Sequence, residues 1–160
     1  MNLDDTDKAI LYLLQKETRT NLTHDEIADR IDVSSSTVSN RLNRLKDDGI
    51  LVGYQPTIDY EAAGAPYHVL FVCTAPISRR SDLANEALEV SSVVNIRELL
   101  VGTQNLHVEV VCVDTESIET VARKLDEIGL AIDYSEILRR EYARPFDHFG
   151  SDLVDESDDE

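Results

Sequence analysis

Apolar positions in the first fifty residues recur at helical spacing. Ile10, Leu13 and Leu14, with polar positions between and beyond them, predict an amphipathic helix that starts near Asp4. Thr23-His24-Asp25-Glu26 has the form of a capping box, in which the Thr23 side chain serves the helix start and Glu26 reaches back. Ile27, Ala28 and Ile31 then supply the buried stripe of a second helix. After a break at Asp32-Val33, Ser34 or Ser35 caps a third helix, whose apolar face is Val38, Leu42 and Leu45. Their i, i+4, i+7 spacing puts all three on one side. Gly49 falls where a left-handed residue would end that helix.

The pattern changes after residue 50. Residues 51–66 hold two prolines and two glycines and read as a short strand followed by a linker. Beyond them, strand-like and helix-like runs alternate. Residues 67–75 form a strand, and a helix capped at Ser81 runs through Leu83, Ala87 and Leu88. Strands at 95–101 and 106–113 are joined by the turn Gly102-Thr103-Gln104-Asn105. Asp114 caps a helix with Ile118, Val121, Ala122 and Leu125 turned inward, ending at Gly129, and residues 132–143 form a last strand. The order β-α-β-β-α-β is the split, ferredoxin-like arrangement: one antiparallel sheet with both helices on one face. The fold class expected is therefore α+β, a (winged) helix-turn-helix followed by a ferredoxin-like domain. The expected divisions are a helix-turn-helix domain at 1–50, strand and linker at 51–66, a ferredoxin-like domain at 67–144, and an acidic tail at 145–160. Leu70, Val72, Val111 and Val113 would leave an apolar patch on the sheet face without helices. A second copy of the domain is the economical cover, giving a homodimer.

Charge complicates this picture. The net charge is −17, whereas nucleic-acid binders are usually basic. The acid excess is uneven: residues 61–160 hold 21 acids against 8 bases, and residues 1–60 hold 11 against 7. Lysine is scarce beside arginine, 4 to 11, a balance that suits a protein of salt-loving cells as well as an ordinary acidic one. No apolar run is long enough to span a membrane, and the acidic start has no signal-peptide character, so a cytoplasmic protein is expected. Cys73 and Cys112 lie in apolar runs and read as two reduced, buried thiols rather than a redox pair. The four histidines lack metal-binding spacing, and no catalytic set or phosphate loop converges. Neither an enzyme nor a metal or other cofactor is expected.

The third helix carries the functional signal. With Val38, Leu42 and Leu45 facing a core, Ser34, Ser35, Ser36, Thr37, Ser39, Asn40, Arg41, Arg44 and Lys46 are left for solvent or DNA. Arginine suits guanine, asparagine suits adenine, and hydroxyls suit phosphate. Residues 34–46 carry +3 with no acid. Arg41 and Arg44 are the expected source of affinity, and Ser36, Asn40 and Arg41 the expected readers of sequence. A solvated bundle with an incidental basic face is the plainer alternative.

The stretch from Leu3 to Tyr54, LDDTDKAILYLLQKETRTNLTHDEIADRIDVSSSTVSNRLNRLKDDGILVGY, resembles the N-terminal domain of the Lrp/AsnC (leucine-responsive, feast-famine) transcription regulators, and the likeness continues to about residue 144. The resemblance implies a homodimer built on the sheets, often assembled further into tetramers or octamers. It implies double-stranded promoter DNA as partner, and control by an amino acid or related small molecule bound between sensing domains. The effector positions it implies are Gly102, Thr103, Gln104 and Asn105, with Asp133 and Ser135 at the start of the last strand. Relatives usually carry acids in that turn, and this chain has none there. Asp133 then stands either as a replacement anion for a ligand's ammonium group or as an ordinary exposed strand residue. The rival function is a metabolite-binding module whose helix-turn-helix serves assembly only.

Overall fold

The computed structural model describes residues 2–17, 22–100 and 102–154. The expectations placed on residues 18–21, on Val101 and on the acidic end at 155–160 lie outside these. The chain forms two compact units. One comprises the described residues up to Thr57 together with those from Tyr142 onward, and the other spans Ile58–Glu141.

The first unit is helical: α1 (Asp5–Lys16), α2 (His24–Arg30) and α3 (Ser35–Asp47). Each helix starts on a side-chain cap. Asp4 caps α1 in a reciprocal box with Asp7, Thr23 caps α2 with Glu26, and Ser34, the first of the two expected candidates, caps α3. The bond from the Thr23 backbone N–H holds the Glu26 carboxyl below its ordinary range. Asp32, at φ +51, turns the chain between α2 and α3. Gly49, at φ +69, ends α3 as predicted: its N–H and that of Ile50 donate to the carbonyls of Lys46 and Leu45, both at 2.9 Å. Ile10, Leu13, Ile27, Val38 and Leu45 lie at the centre of the core.

Two expectations for this unit differ from the structure. No strand forms in 51–66: Ile50 and Leu51 pack against the helices, Val52 is exposed, and among the described residues of this unit no second strand is present to pair with. The tail also begins differently from its sequence reading. Residues 147–149 form a 3-10 turn against α1, the Phe146 N–H donates to Gln15 Oε1 at 3.1 Å, and Val154 is buried in the helical core with Phe149 beside it. The sequence shows only isolated apolar residues in an acidic string, so their common target is visible only in three dimensions.

The second unit runs β1 (Tyr67–Thr74), α4 (Arg80–Leu88), β2 (Val93–Glu98), β3 (Leu106–Cys112), α5 (Thr115–Glu127), β4 (Ala131–Ile137). The sheet is antiparallel with order β2-β3-β1-β4, the ferredoxin-like arrangement expected. Val69, Phe71, Cys73, Leu106, Val108 and Val110 pack against Leu83 and Ala87 of α4 and Val121 and Leu125 of α5, so both helices cover one face. Asp114 caps α5 as predicted.

Three boundaries move, each for a local reason. The helix expected to be capped at Ser81 starts at Arg80 after a 3-10 turn, because Ser81 Oγ and Arg80 Nε both donate to Glu98. The strand expected at 95–101 starts at Val93 and stops at Glu98. There Leu99 N–H donates to Asn105 O, and Arg80 takes the Leu99 carbonyl, so Leu100 projects into solvent. The last strand stops at Ile137, opposite Val69, and one further bond, from Leu138 N–H to His68 O at 2.7 Å, closes the ladder.

Candidate nucleic-acid interface and sensing site

Helical geometry sorts the side chains of α3 into three groups. Val38, Leu42 and Leu45 are enclosed. Ser36, Asn40 and Asn43 occupy the opposite, exposed face, followed one turn later by Asp47. The cations flank this face rather than crown it. Arg41 Nη1 lies 2.5 Å from Asp4 Oδ2 and 3.3 Å from Asp7 Oδ1, and Arg44 Nη2 makes a short ion pair with Asp7 Oδ2. Asp7 is fully buried. The hydrogen bond it donates to the Asp4 carboxylate holds the Arg41 guanidinium even more firmly protonated than usual. Lys46 is exposed, with Nζ 5.4 Å from the centre of the Tyr54 ring.

The hydroxyls at the start of α3 are likewise engaged. Ser34 Oγ accepts from the Thr37 N–H at 3.2 Å and is bonded to Ser36 Oγ at 2.9 Å and Thr37 Oγ1 at 2.8 Å. Ser35 Oγ donates to Asp25 Oδ1, tying α3 to α2, and Ser39 is half-buried. The helix therefore runs to Asp47 and includes an acid that the span 34–46 excluded. Two features escaped the sequence reading. Asn43 sits seven positions after Ser36 and three after Asn40, a spacing that marks it as sharing their face. Asp7 stands in the apolar stripe Leu3, Asp7, Ile10, Leu14, where a lone acid signals a partner brought from elsewhere in the fold.

In the second unit, Asn105, Asp133 and β1's C-terminal end come together. Asn105 is buried; its Nδ2 donates to Ala75 O and its Oδ1 accepts from Ala75 N–H, both at 2.9 Å. This amide extends the β1–β3 ladder like a piece of backbone, and all of its bonding capacity toward Ala75 is used. Thr74 Oγ1 donates to Asp133 Oδ2 at 2.6 Å. Asp133 occupies the irregular step where the β1–β4 register shifts. Gly102, Thr103, Gln104 and Ser135 are exposed.

The sheet face without helices centres on Glu109. It is 6% exposed, and its carboxylate accepts from His68 Nε2 at 2.6 Å and Asn95 Nδ2 at 3.1 Å, with Arg97 Nη1 at 3.1 Å. Burial pushes the carboxyl's pKa up, but the bonds from Asn95 and His68 and the charge of Arg97 outweigh it, and the net shift is downward. Leu70, Val72, His107 and Val111 surround it on the same face. Cys73 and Cys112 lie on the neighbouring strands β1 and β3, but Cys73 pairs with Leu106 and Cys112 with Tyr67. They stand at opposite ends of the ladder, about 20 Å apart at about 3.4 Å per residue. That separation is too great for a disulfide within the chain. Burial, first, and Asp133 push the Cys73 thiol up to about 12.

Residues 3–52 match the family model for winged helix-turn-helix DNA-binding domains. The N-terminal unit is a helix-turn-helix domain of this type, with no wing strand among its described residues. The chain is 38% identical over 64 residues, 40% of its length, to an uncharacterized HTH-type transcriptional regulator of Pyrococcus furiosus, of which it covers 42%. It is 28% identical over 119 residues to one of Pyrococcus horikoshii, covering 74% of this chain and 73% of that protein. Among solved structures, the leucine response regulatory protein of Mycobacterium tuberculosis matches at TM-score 0.71 and 22% identity, over 88% of this chain and 95% of that one. A transcriptional regulator of Neisseria meningitidis, solved as an L-Met complex, matches at TM-score 0.72 and 24% identity, over 90% and 94%. At those identities the structures establish the shared two-part fold. The named relatives are HTH-type transcriptional regulators, and the chain spans less than half the length of the first of them. Among the described residues no helix is long and apolar enough to cross a membrane, and no cluster of metal-ligating side chains is found.

Proposed function

We propose that this chain is a sequence-specific, DNA-binding transcription regulator of the Lrp/AsnC type. The observation that carries the reading is α3 itself: a capped helix fixed against α1 and α2, with a polar face directed to solvent. In this reading two copies join through the sheet faces around Glu109, as dimers or larger assemblies, and present two recognition helices to successive major grooves, about 34–36 Å apart. The amphipathic character of that face, with Leu70, Val72 and Val111 around a satisfied carboxylate, supports a dimer contact. Ser36 and Asn40 face the bases. Ser34, Ser35, Thr37 and Ser39 line the approach of the phosphate backbone, and Lys46 adds charge at the far end.

The L-Met complex of the Neisseria protein supports an amino-acid effector here. The exposed candidates are Gly102, Thr103, Gln104, Asp133 and Ser135, with Asp133 as the anion for an ammonium group. The cell compartment would be the cytoplasm, where promoter DNA lies. The surplus of acids over bases supports a salt-adapted protein.

The test is titration of fluorescent duplexes from the chain's own upstream region with wild type and with Asn40→Asp. Salt-dependent binding by wild type, weakened at least tenfold by an added carboxylate on the outward face, is expected. Indifference of the wild type to every duplex, while it remains folded by circular dichroism, would favour the assembly-only reading instead. That second reading draws support from the carboxylates on Arg41 and Arg44 and from the net charge of −17.

A further inference from the structure

The two arginines are the only cations on α3 with a guanine-reading fork, and both are held by α1. Turning both toward a base would strand the enclosed Asp7 carboxylate, whose position inside the unit leaves it no water. Such stranding costs about as much as the two bidentate base contacts return, so the turn brings no net gain. Asn40 and Asn43 are different. Both are exposed on the outward face, and among the described residues neither amide has a hydrogen-bonding partner. Ser36, next to them, is already tied to Ser34.

We infer that the half-site is read at A·T pairs by the Asn40 and Asn43 amides, while Asp4 and Asp7 withhold Arg41 and Arg44 from the bases. This rests on the proposed reading of the chain as a DNA-binding regulator. A carboxamide offers one acceptor and one donor side by side, matching the N6 amine and N7 of adenine in the major groove. Residues three apart on a helix have Cβ atoms about 5–6 Å apart. Neighbouring base pairs rise about 3.4 Å, so the two amides can address adjacent or next-adjacent pairs. Asp4 and Asp7 are positioning residues in this scheme. The arginines, kept beside the groove, contribute charge toward phosphates without choosing a base.

The decisive experiment selects duplexes from a randomised library at fixed salt with wild type, Asn40→Ala, Asn43→Ala and Arg44→Ala, each checked for folding by thermal melting. Wild type is expected to enrich A·T pairs at two nearby positions in each half-site. Each asparagine variant should lose discrimination at one of those positions by about 5- to 100-fold. Arg44→Ala should weaken binding to all sequences alike and leave the preferred bases unchanged. Arg44→Lys, which keeps a charge for Asp7 but removes the guanine fork, replaces it if Arg44→Ala does not fold. A half-site dominated by guanine, lost in the arginine variant and intact in the asparagine variants, overturns the inference alone. Retention of no duplex by folded wild type overturns the DNA-binding reading itself, and this inference with it.

Discussion

The helical unit and the sheet unit each bury one carboxylate, and they do so in opposite places. Asp7 sits inside the helical unit, with its cations supplied by the helix expected to meet DNA. Glu109 sits on the outer face of the sheet, where its partners come from β1 and β2 and no helix covers them. In the first case a buried charge consumes the cations that the sequence offered for function. In the second, a polar network with satisfied bonds marks a surface of otherwise apolar strands. A buried acid is therefore informative mainly through what it takes from its neighbours.

The contrast breaks most sharply if the cations are removed. Arg41→Ala with Arg44→Ala should cost about 4 kcal/mol, because the enclosed Asp7 is left without a counter-charge. The shift in urea midpoint measures it. An unchanged midpoint would show that the clamp contributes nothing. Loss of DNA binding in this double variant is thus expected to follow from unfolding as much as from lost contacts.

In the sheet unit the corresponding weak point is Asn105, not Glu109. Asn105→Ala leaves the Ala75 N–H and carbonyl buried without partners, at about 2 kcal/mol. The same denaturation measurement should show the loss in the sheet unit, with amide exchange accelerated near Ala75. Protection as in wild type would mean that water replaces the amide at no cost.

Truncation after Arg144 tests whether the helical unit needs its returning segment. It removes Val154 and Phe149 from the helical core, and a net loss of about 1 kcal/mol is expected once the entropy of ordering the segment is returned. A melting temperature equal to that of the full chain would show the segment to be passive.

The smallest effect concerns pH. Glu109 has a folded pKa below its ordinary 4.5, so the stability it contributes is complete above that value. It is lost as the pH falls through the depressed folded value. Glu109→Gln should therefore destabilise by about 1 kcal/mol near neutrality, with the gap to wild type closing below about pH 4. A gap that stays constant from pH 7 to pH 3 would contradict a stabilised carboxylate.

Much of the architecture was legible along the chain because its signals are local. A capping residue acts on an N–H three positions away, so Thr23, Ser34 and Asp114 announced their helices. Alternation over 106–112 set which residues face the helices, and the β-α-β-β-α-β order specified the sheet. Ser81 misled because its hydroxyl had a better partner on another element, Glu98. The strand at 95–101 was carried three residues past its end because apolar Leu99 and Leu100 imitate a strand that no ladder continues.

By itself the sequence determined the starts of α1, α2, α3 and α5, the two-part α+β plan and the identity of the exposed helix α3. Only the tertiary structure decided that Arg41 and Arg44 answer to Asp4 and Asp7, more than thirty positions away. It alone brought Val154 back into the first core and turned Asn105 into a splint for Ala75. The reason is physical. Periodicity and caps record interactions within a few residues, whereas a side chain's charge or amide bonds to whatever the fold brings within about 3 Å.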